Sequence, residues 1–254
     1  MKLVTLMENT TACGSLHCEH GLSLYLETGD HKILFDAGQS GAFAENAEKL
    51  GVNLRNVDFA VLSHGHYDHG GGLETFLEIN KTAPVYVSSH AFEPHYSANG
   101  YIGLDLKLQS REQLRSVVEE TRIAEGITLY RLDIDPADTA GLEMEEDGLR
   151  KPDDFRHEQY LMIEEEEKRI LISGCSHKGI LNIMEVFRPD ILVGGFHFMK
   201  ITEEETLRKA TEKLLEYDTV YYTGHCTGQT QYAYLKSLMG DRLHYIAAGT
   251  IMVF

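Results

Sequence analysis

The chain has 254 residues, 43% hydrophobic and 25% charged, the proportions of a globular protein long enough to bury a full core. Its 40 Asp and Glu outnumber 23 Lys and Arg, and the net charge of −17 argues against nucleic-acid binding, which draws its affinity from Lys and Arg on phosphates. The longest apolar runs are a few residues, too short to span a membrane, and four unevenly spaced cysteines do not make a disulfide framework. Met1 to Leu6 runs into Glu8 without the apolar core of a signal peptide, so the expected compartment is the cytoplasm.

Leu22 to Leu26 alternates as a half-buried strand does, Gly29-Asp30 turns, and Lys32 to Phe35 returns as a second strand. Phe43, Ala47 and Leu50 recur at helical spacing, closed by Gly51. Residues 58–63 form a strand that delivers Ser63-His64-Gly65-His66-Tyr67-Asp68-His69-Gly70-Gly71-Gly72 into a loop ahead of a helix starting near Leu73. Three imidazoles and a carboxylate within six residues are the ligand types that borderline divalent metals prefer. His64 and His66 can aim at one ion, Asp68 and His69 at a second. Val85 to Val87 is another strand, ending near His90.

The second half repeats the first. With His20 set on His157, Leu24 falls on Leu161, Glu27 on Glu164 and Ile33-Leu34 on Ile170-Leu171, without gaps. Glu164 to Glu167 reads as a hairpin tip in water. Ile180, Ile183, Met184 and Phe187 make a helical stripe, and Asp190 to Val193 resembles Asp58 to Val61. Thr202 and Glu205 read as a capping box for a helix through Leu207, Ala210 and Leu214, and 219–223 is a strand ending at Gly224-His225. A duplicated unit of strands and helices implies two sheets face to face with helices outside, in a single domain over 1–254. Residues 91–156 have no counterpart in the first half. They read as an insertion that caps the site, with an amphipathic helix over 110–125 and a Gly/Asp/Glu-rich stretch over 137–154.

The His-x-His-x-Asp-His form of residues 64–69 resembles the metallo-β-lactamase superfamily. Further stretches resemble its dihydropteroate-synthase-like branch, named for an enzyme that joins a dihydropterin to a ribofuranosyl-aminobenzene phosphate. These are Glu19-His20-Gly21-Leu22-Ser23, Phe35-Asp36-Ala37-Gly38-Gln39, Gly174-Cys175-Ser176-His177, Gly194-Gly195-Phe196-His197 and Gly224-His225-Cys226-Thr227-Gly228. The resemblance implies an α/β (α+β) fold, the four-layer αββα sandwich, with metals at one edge between the sheets. It places His64, His66, Asp68, His69 and His225 at the metals.

Two departures bear on the rest of the site. Many relatives carry a bridging aspartate where this chain has Cys175, which either supplies a thiolate or is a small buried hydrophobe beside a ligating His177. In an extended segment those two residues would lie about 7 Å apart on one side. The histidine that relatives place before the second hairpin has no clear equivalent: His157 is nearest, as ligand or hydrogen-bonding group, and its image His20 shares that ambiguity. His197 and His90 either face the cleft or satisfy sheet edges. Asp36 is placed to orient a ligand imidazole. One or two divalent ions are expected, zinc first, with iron or manganese as alternatives.

The chemistry expected is hydrolysis of a small molecule, phosphorylated or pterin-like. Asp68 would orient or deprotonate water, and His197 or His177 would stabilise developing negative charge. The branch offers a pterin transferase instead, with Phe92, Tyr96 and Tyr101 as ring-stacking candidates. A metal-dependent sensor is the non-enzymatic alternative. No nucleic-acid or membrane partner is expected, and the sequence leaves the oligomeric state open.

Overall fold

The computed structural model describes residues 1–136, 139 and 141–254. Two seven-stranded sheets carry the chain. The first runs Ile251–Val253, Lys2–Met7, Ser23–Glu27, Lys32–Phe35, Phe59–Val61, Val85–Ser88, Leu114–Val117. The second runs Leu243–Tyr245, Val220–Thr223, Ile191–Val193, Lys168–Ile172, Tyr160–Glu165, Ile127–Tyr130, Thr121–Ala124.

Period-two alternation explains how four layers form. Leu24, Leu26, Ile33 and Phe35 meet Leu161, Ile163, Ile170 and Ile172 in one buried cluster between the sheets. The intervening Tyr25, Leu34 and Ala60 face outward and pack on helices Ala42–Lys49 and Leu73–Ile79. Tyr160, Met162, Leu171 and Leu192 do the same toward helices Ile180–Phe187, Glu204–Leu215 and Gln229–Met239. The central strands are therefore apolar on both faces, which is the αββα sandwich.

The duplication in the sequence is a duplication of register. Leu24 pairs with Phe35 and Leu26 with Ile33; their images Leu161 and Ile163 pair with Ile172 and Ile170. Asp58 caps one crossover by accepting from Lys32 N at 2.8 Å, and Asp190 accepts from Arg169 N at 2.7 Å at the equivalent place. In both halves two parallel strands then follow, and their C-terminal ends open on the same edge of the sandwich.

Three local expectations are corrected. Residues 110–125 are not a helix. Leu114–Val117 and Thr121–Ala124 are strands that extend the two sheets, joined by the exposed Glu119-Glu120. Val117, Thr121 and Ile123 are β-branched, and both sheets offered an unpaired edge, so pairing outweighed a weak helical stripe. The insertion is accordingly shorter than 91–156, since its middle belongs to the sandwich. Thr202 is not the N-cap: the helix starts at Glu204 behind Glu203, with Glu204 and Glu205 in its first turn. Of the acidic stretch 137–154, residues 137, 138 and 140 lie outside the described residues. Glu143–Glu146 and Leu149–Pro152 form a hairpin that joins His95–Ser97 and Gly100–Tyr101 in a small third sheet.

Candidate metal centre

Four strand-end loops meet at the open edge. The first follows Phe59–Val61 and carries His64, His66, Asp68 and His69, the last two on the single turn Tyr67–Gly70. It is pressed against its neighbours: a Cβ on Gly65 would sit 2.2 Å from the Ala91 carbonyl oxygen. The second loop follows Lys168–Ile172 and holds Cys175 and His177. A Cβ on its Gly174 would stand 2.2 Å from Ser63 Oγ and 3.1 Å from His64 Nδ1, so glycine there lets the two loops touch. The third follows Ile191–Val193 and ends in His197; the fourth follows Val220–Thr223 and begins with His225. His197 (φ 57°) and His225 (φ 48°) both adopt left-handed backbone.

Three buried carboxylates hold these loops by their backbone N–H groups. Asp36 Oδ1 accepts from Ser63 N at 2.7 Å, Glu158 Oε1 from His177 N at 2.7 Å, and Glu8 Oε1 from His225 N at 2.5 Å. Asp36, itself at φ 59°, also fixes ring tautomers. Its Oδ2 lies 2.6 Å from His69 Nδ1 and accepts from Ser63 Oγ at 2.7 Å, and Ser63 Oγ lies 2.8 Å from His64 Nδ1. With the hydroxyl proton on Asp36, His64 must donate from Nδ1. His64 thus keeps a bare Nε2, and His69 presents one once its second proton is displaced. His225 reaches the same state through Asn9, whose Oδ1 is 2.8 Å from its Nδ1.

The bare nitrogens converge on two points. His64, His66 and His177 place ligand atoms within 4.8 Å of one another. Nε2 of His64, Nε2 of His66 and both nitrogens of His177 are buried without a hydrogen-bond partner among the described residues. Burial first, and the neighbouring imidazoles second, hold these three rings well below the ordinary histidine range, so each is neutral and offers a lone pair. At the second point, Asp68 Oδ2 lies 3.2 Å from His225 Nε2 and 3.7 Å from His69 Nε2, and those two nitrogens are 3.2 Å apart. Burial opposes charge on Asp68, but His69, His20 and His225 outweigh it and keep the carboxyl well below its usual range. Cys175 Sγ sits 3.2 Å from His69 Nε2 and groups with His64 and His69, with His177 and His197, and with His225 and Cys226, so it stands between the two points.

Orphaned imidazole nitrogens and an ionised carboxylate in a buried pocket fit borderline divalent ions, which would take one nitrogen of each ring and a carboxylate oxygen. His64, His66 and His177 are placed to hold one ion, Asp68, His69 and His225 a second, with Cys175 between.

The remaining candidates divide. His20 Nε2 is 3.3 Å from Asp68 Oδ2 and half-exposed at the cleft. His197 lines the cleft, its ring 4.4 Å from that of His177 and its Nδ1 unpartnered. His157 is fully buried beside His66 and accepts from Gly65 N at 2.9 Å. His90 does not face the cleft: it pairs with Glu93 at 2.8 Å, a carboxylate that also takes Arg156. Phe92, Tyr96 and Tyr101 are likewise absent from the cleft. Tyr96 bonds Glu145, stacks under Arg150 and meets Tyr101 edge-on within the third sheet. The inserted segment instead contributes Ser97, Ile102 and Leu142 to a cavity of about 180 Å³ beside the metal points. Nor is 175–177 extended: Ser176 is left-handed (φ 59°), which draws Cys175 and His177 onto one spot, their ligand atoms within 4.8 Å. Sequence reasoning missed Glu8, Asn9, His95, Asp153 and Glu158, isolated polar residues whose partners are far away in the chain.

This fold with this edge defines a class. Residues 18–225 match the metallo-β-lactamase superfamily, and the chain belongs to it. Among its relatives is the 7,8-dihydropterin-6-methyl-4-(β-D-ribofuranosyl)-aminobenzene-5′-phosphate synthase of Methanocaldococcus jannaschii, 29% identical over 100% of this chain and 97% of that protein. The uncharacterized protein MJ0448 of the same organism is 31% identical over 89% of this chain and 91% of its own length. The crystal structure of Tm1679, described as a metal-dependent hydrolase of the β-lactamase superfamily, superposes with a TM-score of 0.86 at 29% identity, covering 100% of this chain and 99% of that one.

Proposed function

We propose that the protein is a metal-dependent hydrolase of a small molecule. The observation that carries this reading is the convergence of buried ligand atoms on two points beside a cavity, those of His64, His66 and His177 having no hydrogen-bond partner among the described residues. A borderline divalent ion in such a cradle supplies Lewis acidity and makes water acidic enough to ionise near neutral pH.

The chain's own residues do the rest. Asp68 keeps one carboxylate oxygen within reach of both His225 and His20, so it can orient an attacking water and take its proton. His20, half-exposed beside it, can pass that proton to solvent. His197 lines the cleft with an unpartnered Nδ1 and is placed to donate to an oxygen that gains negative charge. Burial lowers its basicity, but Cys226 and Glu158 outweigh that and raise it, which favours the donor form. The cleft continues past His177, His197 and Lys200 into a pocket of about 470 Å³ walled by Phe196, Phe198, Ile180 and Ile201. A substrate with a reacting polar end and an apolar or aromatic body suits that shape. The charge of −17 supports a small substrate over a nucleic acid.

A transferase reading draws support from the synthase relative, which aligns over the full chain. The same groups would then help a phosphate leave a pterin methyl carbon while an aromatic nucleophile enters from the apolar pocket. Reconstitution with zinc, manganese or iron and turnover in ¹⁸O-water separates the two. Hydrolysis places ¹⁸O in the product; transfer to an added aminobenzene acceptor does not. Metal-loaded protein that turns over neither phosphoesters, lactones nor pterin esters would contradict both readings.

A further inference from the structure

Two thiols from different edge loops meet in the metal centre. Cys175 follows the strand Lys168–Ile172, and Cys226, 51 residues later, follows His225. Both are free and buried, and both line the cleft. Their sulfurs lie within 4.8 Å of each other and of a ring nitrogen of His225. Cys226 Sγ donates to the Cys175 carbonyl oxygen at 3.5 Å, so this thiol points at the other cysteine. Cys175 Sγ itself sits 3.2 Å from His69 Nε2.

A glycine of the third loop permits this approach. Gly195 N–H donates to the Gly174 carbonyl oxygen at 2.8 Å. A Cβ on Gly195 would stand 2.3 Å from Cys226 Sγ and 3.2 Å from that same oxygen, so the missing side chain is what lets the second and fourth loops draw their cysteines together. A disulfide needs its sulfurs about 2 Å apart. One rotamer change carries a thiol sulfur about 3 Å, so the pair is within closing distance without any strand moving. The cavity of about 180 Å³ that both sulfurs line admits a molecule as small as peroxide.

We propose that Cys175 and Cys226 form a reversible disulfide when a hydroperoxide enters the cleft, and that this bond withdraws Cys175 from the metal centre. With hydrogen peroxide, one thiol attacks the O–O bond and becomes a sulfenic acid, releasing one water. The second sulfur then attacks the sulfenic sulfur: the S–S bond forms, the S–O bond breaks, and the oxygen leaves as a second water. Both sulfurs are oxidised, the peroxide is reduced, and the two thiol protons end in the two waters. A sulfur bound to Cys226 is no longer a thiolate, which is the form that ligates. The withdrawal of Cys175 rests on the metal-dependent reading above; the bond itself does not.

Equimolar hydrogen peroxide, added to the full wild-type chain either loaded with zinc or stripped by EDTA, tests it. The protein is then denatured, alkylated, digested and mapped by mass spectrometry, and a parallel sample is titrated with zinc against a chromophoric chelator. A peptide carrying Cys175 should be joined to one carrying Cys226, lighter by two hydrogens, and the link should form faster in the stripped protein. Losing a ligand should weaken zinc at least as much as losing a ligand's orienting partner, so affinity should fall at least about tenfold. Dithiothreitol should reverse both changes. Cys175 and Cys226 recovered without the link from peroxide-treated, zinc-free protein would overturn the proposal. A linked chain with undiminished zinc affinity would overturn the withdrawal of Cys175. If the reduced wild type binds no zinc at all, the metal-dependent reading fails and the withdrawal with it, a result distinct from a missing link.

Discussion

Asp36→Asn is the perturbation that probes the centre most cleanly. Asparagine tolerates the left-handed backbone at this position, and its amide oxygen can still accept from Ser63 N. The other side fails. Where Oδ2 accepted from His69 Nδ1 at 2.6 Å and Ser63 Oγ at 2.7 Å, an NH₂ group now faces two donors. The hydroxyl can rotate to accept. His69 cannot, unless it moves its proton to Nε2, the nitrogen aimed at His225 and Cys175. Loss of one buried charge-assisted bond costs about 1.5–3 kcal/mol, or roughly 3–12 °C in melting temperature at this chain length. Metal affinity should fall by about 10- to 100-fold, since the favoured tautomer no longer presents a lone pair. Calorimetric melting of the metal-free protein and zinc competition against a chromophoric chelator measure the two effects. A double-mutant cycle with His69→Ala isolates the route: in that background Asp36→Asn should change zinc affinity less than about threefold. Undiminished affinity in the single variant, or an equal loss without His69, would refute the orienting role.

Other outcomes follow from the same geometry. Burial, with His95 beside it, depresses His157 to about 4, and a depressed group stabilises above its ordinary value and loses that contribution as pH falls. The metal-free protein should therefore lose about 3 kcal/mol between pH 6.5 and 4 from this ring alone, with His64, His66 and His177 adding in the same sense. His69 works oppositely: burial lowers it, but Asp36 and Asp68 outweigh that and raise it to about 9, so its contribution is present below 6.5 and lost as pH rises through 9. Melting temperature against pH should peak near neutrality, and a flat profile from 4 to 9 would contradict this. Gly174→Ala must push the Ser63 and Cys175 loops apart and should cost about 1–3 kcal/mol together with zinc affinity, read by urea unfolding and zinc competition. Zinc at 100 times its dissociation constant should stabilise the chain by about 2.7 kcal/mol and EDTA should reverse it, both visible by differential scanning fluorimetry.

The edge loops were legible in the sequence because their signals are local. Strand, glycine and ligand side chains sit within a few residues of one another at His64 to His69 and at Gly224-His225, and period-two alternation with its in-register repeat specified the facing sheets. The strands at 114–124 were misread because short apolar spacing suits a helix and a strand alike until an open sheet edge chooses. Tertiary structure alone decided which polar residues hold the site. Glu8 reaches His225, Glu158 reaches His177, and Asp153 and His95 meet across a hairpin; none of these residues carries a motif. It also decided that Ser176 turns left-handed, which brings Cys175 and His177 to one point. Side-chain spacing along a chain fixes which face a residue takes, but where two distant loops touch depends on how the layers between them pack.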